Sequence, residues 1–371
     1  MPNLKLGIVG LPNVGKSTLF NALTEAGADA ANYPFCTVDP NVGVVEVPDP
    51  RLDFLFEHSP ARERVPATVT FVDIAGLVEG ASHGEGLGNK FLANIREVHA
   101  IVHVVRCFDD PDIAHVLGEV DPVRDREIIN TELALADLQK LEKRREKVEK
   151  TARSGDKDAR AELQLLDRLI AVLAEGDPAR LVPPQNDGED RLIRGYQLLT
   201  EKPELYVANV TEEEFLGDPD QNAHVQALKD AIEDDHEPAE VVELAARLEA
   251  ELLALDAHER RQYLDELDLH EPGLYRLIRA GYRLLGLISF FTTGEKQARA
   301  WTIQEGVTAP EAAGEIHTDF QRGFIRAETI GWEDFQRVGS EKAARDRGLI
   351  RSEGRDYVLQ DGDVILFRFN V

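Results

Sequence analysis

Residues 4–25, LKLGIVGLPNVGKSTLFNALTE, leave few folds open to the chain. Leu4 to Val9 is a short apolar run with β-branched residues, which predicts a buried strand. Gly10-Leu-Pro-Asn-Val-Gly15-Lys16-Ser17 fits G-x-x-x-x-G-K-[ST], and Leu19, Phe20 and Leu23 follow at helical spacing. Strand, glycine loop and helix in that order form the context of a phosphate loop. A phosphate chain needs many N–H donors. Glycines let the backbone fold around the anion, and the helix N-terminus adds free N–H groups and the positive end of its dipole. Asn13, Val14, Gly15, Lys16, Ser17 and Thr18 are therefore expected to hold phosphates. Lys16 reaches the β- and γ-phosphates, and the Ser17 hydroxyl ligates Mg²⁺.

The next segment, Asn32 to Asn41, carries two prolines and no period, so it reads as a loop. Its Thr37 is a candidate second hydroxyl on Mg²⁺; on position alone it is equally well a surface threonine. Val42 to Val47 and Thr68 to Val72 read as strands. The second runs into Asp73-Ile-Ala-Gly76, a D-x-x-G pattern at a strand end. Asp73 would hold Mg²⁺ through water, and the Gly76 N–H would meet the γ-phosphate. Glycines 80, 84, 86 and 88 make the following stretch a second switch candidate. Leu77 stands where many such enzymes place a glutamine that orients the attacking water, so hydrolysis needs another group or ion. Asn89 to Arg96 reads as a helix and Ala100 to Arg106 as a buried strand. His103 inside that strand reads as a core histidine. His115, in the loop beyond, is a candidate that could approach the phosphates.

The formal net charge of −27 argues against general coating of nucleic acid, because affinity for a polyanion comes mainly from Lys and Arg. One stretch runs the other way. From 127 to 175, apolar residues recur at three- and four-residue steps around a turn at 152–156, which predicts an antiparallel helical arm. Within it QKLEKRREKVEKTAR, residues 139–153, has seven basic against three acidic residues. It reads either as a solvated helix face laced with ion pairs or as a contact for RNA or another acidic partner. The two cysteines, Cys36 and Cys107, show no metal spacing and suit a reducing compartment. No signal peptide and no apolar run of membrane length is visible, so a cytoplasmic location and no membrane partner are expected.

Leu192 to Leu199 reads as a helix and Leu205 to Val210 as another buried strand. That strand ends at Asn209-Val210-Thr211-Glu212, where a GTPase carries N-K-x-D. Asn209, Val210 and Glu212 are the candidate base edge. Glu212 is one methylene longer than the aspartate that pairs with guanine, so ATP becomes plausible beside GTP. Ala239 to Leu244 closes the strand series, and helices follow at 246–254 and 272–285. From about Leu287 short strands and turns suggest a small mixed domain.

With these residues in hand the chain resembles the YchF / Obg-like ATPase family, also called EngD, a branch of the Obg-related translation-factor GTPases. The resemblance spans essentially the whole sequence. It rests on Gly10–Thr18, Tyr33-Pro-Phe-Cys-Thr37-Val-Asp-Pro-Asn41, Asp73-Ile-Ala-Gly-Leu-Val, Asn130-Thr-Glu-Leu-Ala-Leu-Ala-Asp137, the N-x-x-E at Asn209, Ile316–Arg326 and Asp361-Gly-Asp363. It implies an α/β fold: a P-loop NTPase domain (1–128 and 201–286), an inserted α-helical coiled-coil arm (129–200) and a C-terminal β-grasp TGS domain (287–371). It also implies Mg²⁺-dependent hydrolysis, often with ATP favoured over GTP, and association with ribosomes. The apolar Leu77 matches the family's missing glutamine. His115 matches a histidine discussed as a helper, and Asn13 matches the asparagine that ligates K⁺ in cation-activated relatives. The Ala245-Ala246 pair departs from the usual Ser-Ala base loop.

The expected function is thus a slow ATPase, with GTP open as a second substrate, that couples nucleotide state to a ribosome or RNA; no DNA sequence recognition is expected. Lys16, Gly76 and His115 are the catalytic candidates, and Ser17, Thr37 and Asp73 the metal candidates. The competing class is a nucleotide-gated binding module with negligible hydrolysis, favoured by Leu77. A third reading makes the acidic surface a protein-docking face.

Overall fold

The computed structural model describes residues 4–26, 41–74, 87–217 and 221–370, apart from the side chains of 87–89 and 257. The first part of the chain contributes β1 (Lys5–Val9), α1 (Lys16–Ala26), β2 (Val42–Glu46), α2 (Pro50–Glu57), β3 (Glu63–Val65), β4 (Thr68–Asp73), α3 (Leu87–Glu97) and β5 (Ala100–Arg106). A helical insertion follows: α4 (Pro122–Arg153), α5 (Lys157–Ala174) and α6 (Asp187–Tyr196). The chain then returns through β6 (Glu204–Asn209), α7 (Glu212–Leu216), α8 (Ala223–Asp234), β7 (Glu240–Leu244), α9 (Ala246–Ala254), α10 (Ala257–Glu266) and α11 (Gly273–Leu284). The last part supplies β8 (Leu287–Thr293), β9 (Gln297–Gln304), α12 (Ala309–Ile316), α13 (Thr318–Arg322), β10 (Phe324–Ile330), α14 (Trp332–Val338), α15 (Glu341–Asp346), β11 (Arg351–Glu353) and β12 (Val364–Phe369). Among the described residues no helix is long and apolar enough to cross a membrane.

One sheet has the order β2-β4-β1-β5-β6-β7 and is parallel except for β2, which runs antiparallel to β4. Every residue of β5 is buried, as expected of a central parallel strand covered on both faces. The register sets Ile8 beside Asp73, Val9 beside His103, and Arg106 beside Asn209. The carboxyl ends of β1, β4, β5, β6 and β7 therefore open on one edge, where ligands bind in sheets of this kind.

The arm is a hairpin with its own core. Asp121 caps α4 through the Arg124 N–H at 3.1 Å, with Pro122 in the first turn. Ser154 and Gly155, the latter at φ +98°, make the tip, and Asp156 caps α5. Leu141 and Val148 of α4 pack on Leu165, Leu166, Leu169 and Leu173 of α5. Full burial of each such leucine stabilises by about 1.5–3 kcal/mol. The helix expected over 192–199 lies earlier, at Asp187–Tyr196. Asn186 caps its start through the Gly188 and Glu189 N–H groups, and Gln197 ends it in the left-handed region at φ +48°. Those capping signals outrank the apolar spacing of Leu192 and Leu199.

The second sheet has the order β11-β10-β12-β8-β9-β3. Its edge strand β3 comes from the first part of the chain and pairs in parallel with β9. Arg51 on α2 adds an ion pair to Asp361 at 2.7 Å, and Phe54 meets Trp332 edge-on at 5.4 Å. The two sheets are thereby joined by side chains of residues 51–65.

Candidate nucleotide-binding site

The loop between β1 and α1 is built by two residues in the left-handed region, Asn13 at φ +63° and Gly15 at φ +95°. A Cβ at Gly15 would collide with the Asn209 amide, so only glycine fits this backbone. The loop feeds directly into α1, whose first turn carries Lys16, buried, and Ser17 and Thr18, exposed. Unpaired N–H groups at that helix start and the dipole behind them favour an anion.

Lys16 Nζ is ion-paired with the Asp73 carboxylate at the end of β4. The Ser17 hydroxyl, on the turn next to Lys16, and the Asp73 carboxylate are hard oxygen donors of the kind a divalent cation such as Mg²⁺ prefers. Opposite charges for a phosphate and for its metal thus stand side by side. Thr37, Gly76 and Leu77 lie outside the described residues.

Asn209 is buried at the end of β6. Its Nδ2 donates to the Val14 carbonyl at 2.8 Å, and its Oδ1 accepts the Ala246 N–H at 3.0 Å. This one side chain ties the phosphate loop to the start of α9. Val210 turns its side chain into a cluster with Val225 and Leu228, and its N–H bonds the Leu244 carbonyl at 3.0 Å. Glu212 opens α7, and its Oε1 accepts the Tyr263 hydroxyl at 3.4 Å. Ala245 precedes α9 without a side-chain cap, as a residue lacking a hydroxyl must.

His115 is placed differently from its expected catalytic role. Nε2 donates to Asp125 at 2.8 Å, Nδ1 accepts the Leu117 N–H at 3.2 Å, and the ring is buried. Both ring nitrogens are thus engaged by neighbouring protein groups. The neighbouring backbone does reach the site: the Ala114 carbonyl accepts from Asn13 Nδ2 at 3.1 Å. His115 thus fixes the loop that supports Asn13, and Asp125 anchors that loop to the first turn of α4.

Arg106 was not singled out by sequence, yet it organises the same loop. It is 1% exposed and donates to the carbonyls of Phe108, Asp110 and Ile113 at 3.0, 3.2 and 2.9 Å. Its guanidinium lies over the Phe108 ring, with the centroid 4.6 Å away. A cation closing an otherwise apolar strand, AIVHVVR, was the available signal.

His103 is a core residue, but not an inert one. Its Nδ1 meets Glu204 at 3.0 Å, and Arg180 meets the same carboxylate at 2.9 Å. Burial works to raise the Glu204 pKa, but His103 and Arg180 outweigh it and hold the carboxyl below the usual range. Next to this, Arg126 of α4 pairs with Glu237 at 2.6 Å and Asp235 at 2.7 Å and donates to the Tyr206 hydroxyl at 3.1 Å. The root of the arm is thus fixed to the sheet by a buried ionic cluster.

Comparison with known proteins gives the same frame. A family model described as "50S ribosome-binding GTPase" matches residues 5–168. The YchF GTPase C-terminal model, described as "Protein of unknown function (DUF933)", matches residues 287–370. The chain is 55% identical to the ribosome-binding ATPase YchF of Haemophilus ducreyi, covering 99% of each. It is 52% identical to the Bacillus subtilis protein of that name, covering 99% of this chain and 100% of the other. It is 44% identical to human Obg-like ATPase 1, covering 99% and 93%. The solved Schizosaccharomyces pombe YchF GTPase superposes with a TM-score of 0.88 at 39% identity, over 99% of this chain and 98% of that one.

Proposed function

This chain belongs to the YchF / Obg-like ATPase family, and from that premise we propose that it is a Mg²⁺-dependent P-loop ATPase that associates with ribosomes. It is a nucleoside-triphosphate hydrolase acting on the γ-phosphate. The observation that carries this reading is the placement of Lys16, Ser17 and Asp73 together, where β1, β4 and the start of α1 meet.

In this reading the amides of Asn13 to Thr18 and the Lys16 ammonium hold the phosphates. Ser17 and Thr37 would ligate Mg²⁺ directly and Asp73 through water, and the Gly76 N–H would meet the γ-phosphate. Mg²⁺ supplies neutralisation of the charge shared between the β- and γ-phosphate oxygens. On binding nucleotide, Lys16 would exchange Asp73 for a phosphate oxygen, and the Asp73 carboxylate would then be available to help hold Mg²⁺. Asn209 acts on the base side chiefly by holding the loop; the Val210 backbone and Glu212 would face the base. His115 acts as a positioning residue.

With no glutamine at position 77, we assign the missing stabilisation to a monovalent cation at Asn13. The Asn13 amide nitrogen is committed to Ala114, which leaves Oδ1 for K⁺. Hydrolysis in KCl should exceed that in NaCl at matched ionic strength, and equal rates would remove this assignment. We also propose the division into nucleotide domain, arm (129–200) and TGS domain (287–371), and a cytoplasmic location where ribosomes are met.

Calorimetry with ATP and GTP in Mg²⁺ tests the choice of nucleotide. ATP binding tighter by tenfold, about 1.4 kcal/mol, supports the ATPase reading. GTP winning by that margin would mean that Glu212 still reads guanine.

A further inference from the structure

The loop between β5 and α4 turns its polar bonds inward and its aliphatic side chains outward. Arg106, buried, donates to the carbonyls of Phe108, Asp110 and Ile113. His115 donates to Asp125 and accepts the Leu117 N–H. The Cys107 carbonyl accepts from Asn222, and the Ala114 carbonyl from Asn13 of the phosphate loop. With the backbone pinned at these points, Ile113, Val116 and Leu117 are left 38%, 48% and 39% exposed. Single exposed aliphatic residues are ordinary. Three within five residues concentrate apolar surface on one loop, and such a concentration marks an interaction surface.

The rim of this surface is anionic. Residues 107–123 hold five carboxylates, Asp109, Asp110, Asp112, Glu119 and Asp121, and no lysine or arginine. Asp109, Asp112 and Glu119 are exposed. His224 of α8 meets Asp109 at 3.2 Å and offsets its charge only when the ring is protonated. The arginines that flank the loop are engaged elsewhere. Arg106 holds the carbonyls already named, and Arg124 donates to the Glu119 carbonyl at 2.7 Å and to Asp125 at 3.2 Å.

An apolar centre within a polar rim is the make-up of a protein interface. We propose that this loop docks a basic, apolar-anchored segment of a ribosomal protein, with Ile113, Val116 and Leu117 as the anchors and Asp109, Asp112 and Glu119 as the complementary rim. The proposal rests on the ribosome-association reading and names the component met at this surface. A ribosome presents RNA phosphates and basic protein, and the carboxylates repel the first and attract the second. A second copy of this chain, at a net charge of −27, is repelled as well. Docking here reaches the nucleotide site through one bond, because Ala114 lies between Ile113 and Val116 and holds Asn13.

The first test uses the full chain and a fluorescein-labelled amphipathic peptide of lysine and leucine, read by anisotropy across KCl concentrations. The triple variant Ile113→Ser/Val116→Ser/Leu117→Ser should bind at least about tenfold more weakly at 100 mM KCl. Asp109→Asn/Asp112→Asn/Glu119→Gln should also lose affinity, and its binding should depend less on salt. Ile325→Ser/Leu366→Ser removes exposed aliphatic groups from β10 and β12 instead and should change affinity less than about twofold. Unchanged binding by the triple variant, or equal loss in the β10/β12 variant, would overturn the loop. So would polylysine of matched charge, which lacks the anchors, binding as tightly as the amphipathic peptide.

Ribosome sedimentation separates this inference from its premise. If the triple variant loses the peptide and the wild type does not sediment with ribosomes, the surface stands and the ribosome reading fails. If wild type and variant sediment alike and bind the peptide alike, the surface fails and the ribosome reading stands. In the sedimented complex, Val116→benzoylphenylalanine should photo-crosslink to ribosomal protein; adducts to RNA alone, or none, would overturn the docking. A wild-type dimer that the triple variant dissolves would assign the patch to a second copy and overturn it too. Circular dichroism checks that the exposed substitutions leave the fold intact.

Discussion

Asn209 and Val14, 195 residues apart in the chain, are joined by a buried hydrogen bond of 2.8 Å that closes the phosphate loop against the sheet. The other end of the same amide holds the Ala246 N–H. Asn209→Ala would leave both groups unpaired, at about 1–3 kcal/mol each. Urea unfolding should show a loss of about 2 kcal/mol or more, and ATP affinity should fall with it. Asn209→Ala with native stability and weakened ATP binding would instead mean that the side chain acts on the base alone.

His115 and Asp125 lead to a second expectation. Because both ring nitrogens are engaged, His115→Gln should keep turnover within about fivefold, a small part of the 10²–10⁴ expected for loss of an acid–base group. His115→Ala should cost more, through a loosened 107–118 loop. A pH profile that loses an ionisation in His115→Gln would show that the imidazole does move a proton.

The contrast between these two residues shows what a sequence makes legible. The phosphate loop, the β5 strand and the arm hairpin are local patterns: a glycine spacing, an apolar run, a 3.6-residue period. Reading them places Lys16, Ser17 and Asp73 near one another, since β1 and β4 end on the same edge. The partners of His115 and Arg106 are different. Their bonds go to a loop without a period and, for His115, to a carboxylate on α4, and no periodicity encodes such a choice. The three-residue strand β3 was missed for the same reason. Glu63-Arg-Val65 is too short to show alternation, and its partner β9 lies more than 200 residues away.

Arg126 anchors the arm to the sheet through Glu237, Asp235 and the Tyr206 hydroxyl. Without Arg126 the buried Glu237 keeps only Arg180, and the Tyr206 hydroxyl loses its guanidinium donor, while the half-exposed Asp235 returns to water. Arg126→Ala should therefore destabilise the chain by about 2–3 kcal/mol, below the roughly 3–5 expected where a buried charge is left wholly unpaired. A loss below about 1 kcal/mol in urea unfolding would contradict the cluster's role at the arm root.

Glu249 sets a pH dependence. Burial pushes its carboxyl up to about 7, against the opposing N–H groups of Leu274 and Gly273 at the start of α11 and the charge of Arg276. Its ordinary value is 4.5, so the folded chain binds the proton more tightly than the unfolded one. This group's contribution is fullest below about pH 4.5 and is lost as the pH rises to about 7. Glu249→Gln removes that loss. The variant should gain on the wild type by about 1–3 kcal/mol between pH 5 and pH 8. A difference that stays constant with pH would show that Glu249 does not titrate in this window.

The central claim is hydrolysis at the Lys16–Asp73 site, and release of phosphate from ATP tests it most directly. The wild-type chain should release phosphate in Mg²⁺ and not in excess chelator. Lys16→Ala should lower the rate by about 100-fold or more, the scale for removing one charge-stabilising group from such a site. Release that persists at the wild-type rate in Lys16→Ala, or that ignores Mg²⁺, would contradict the account.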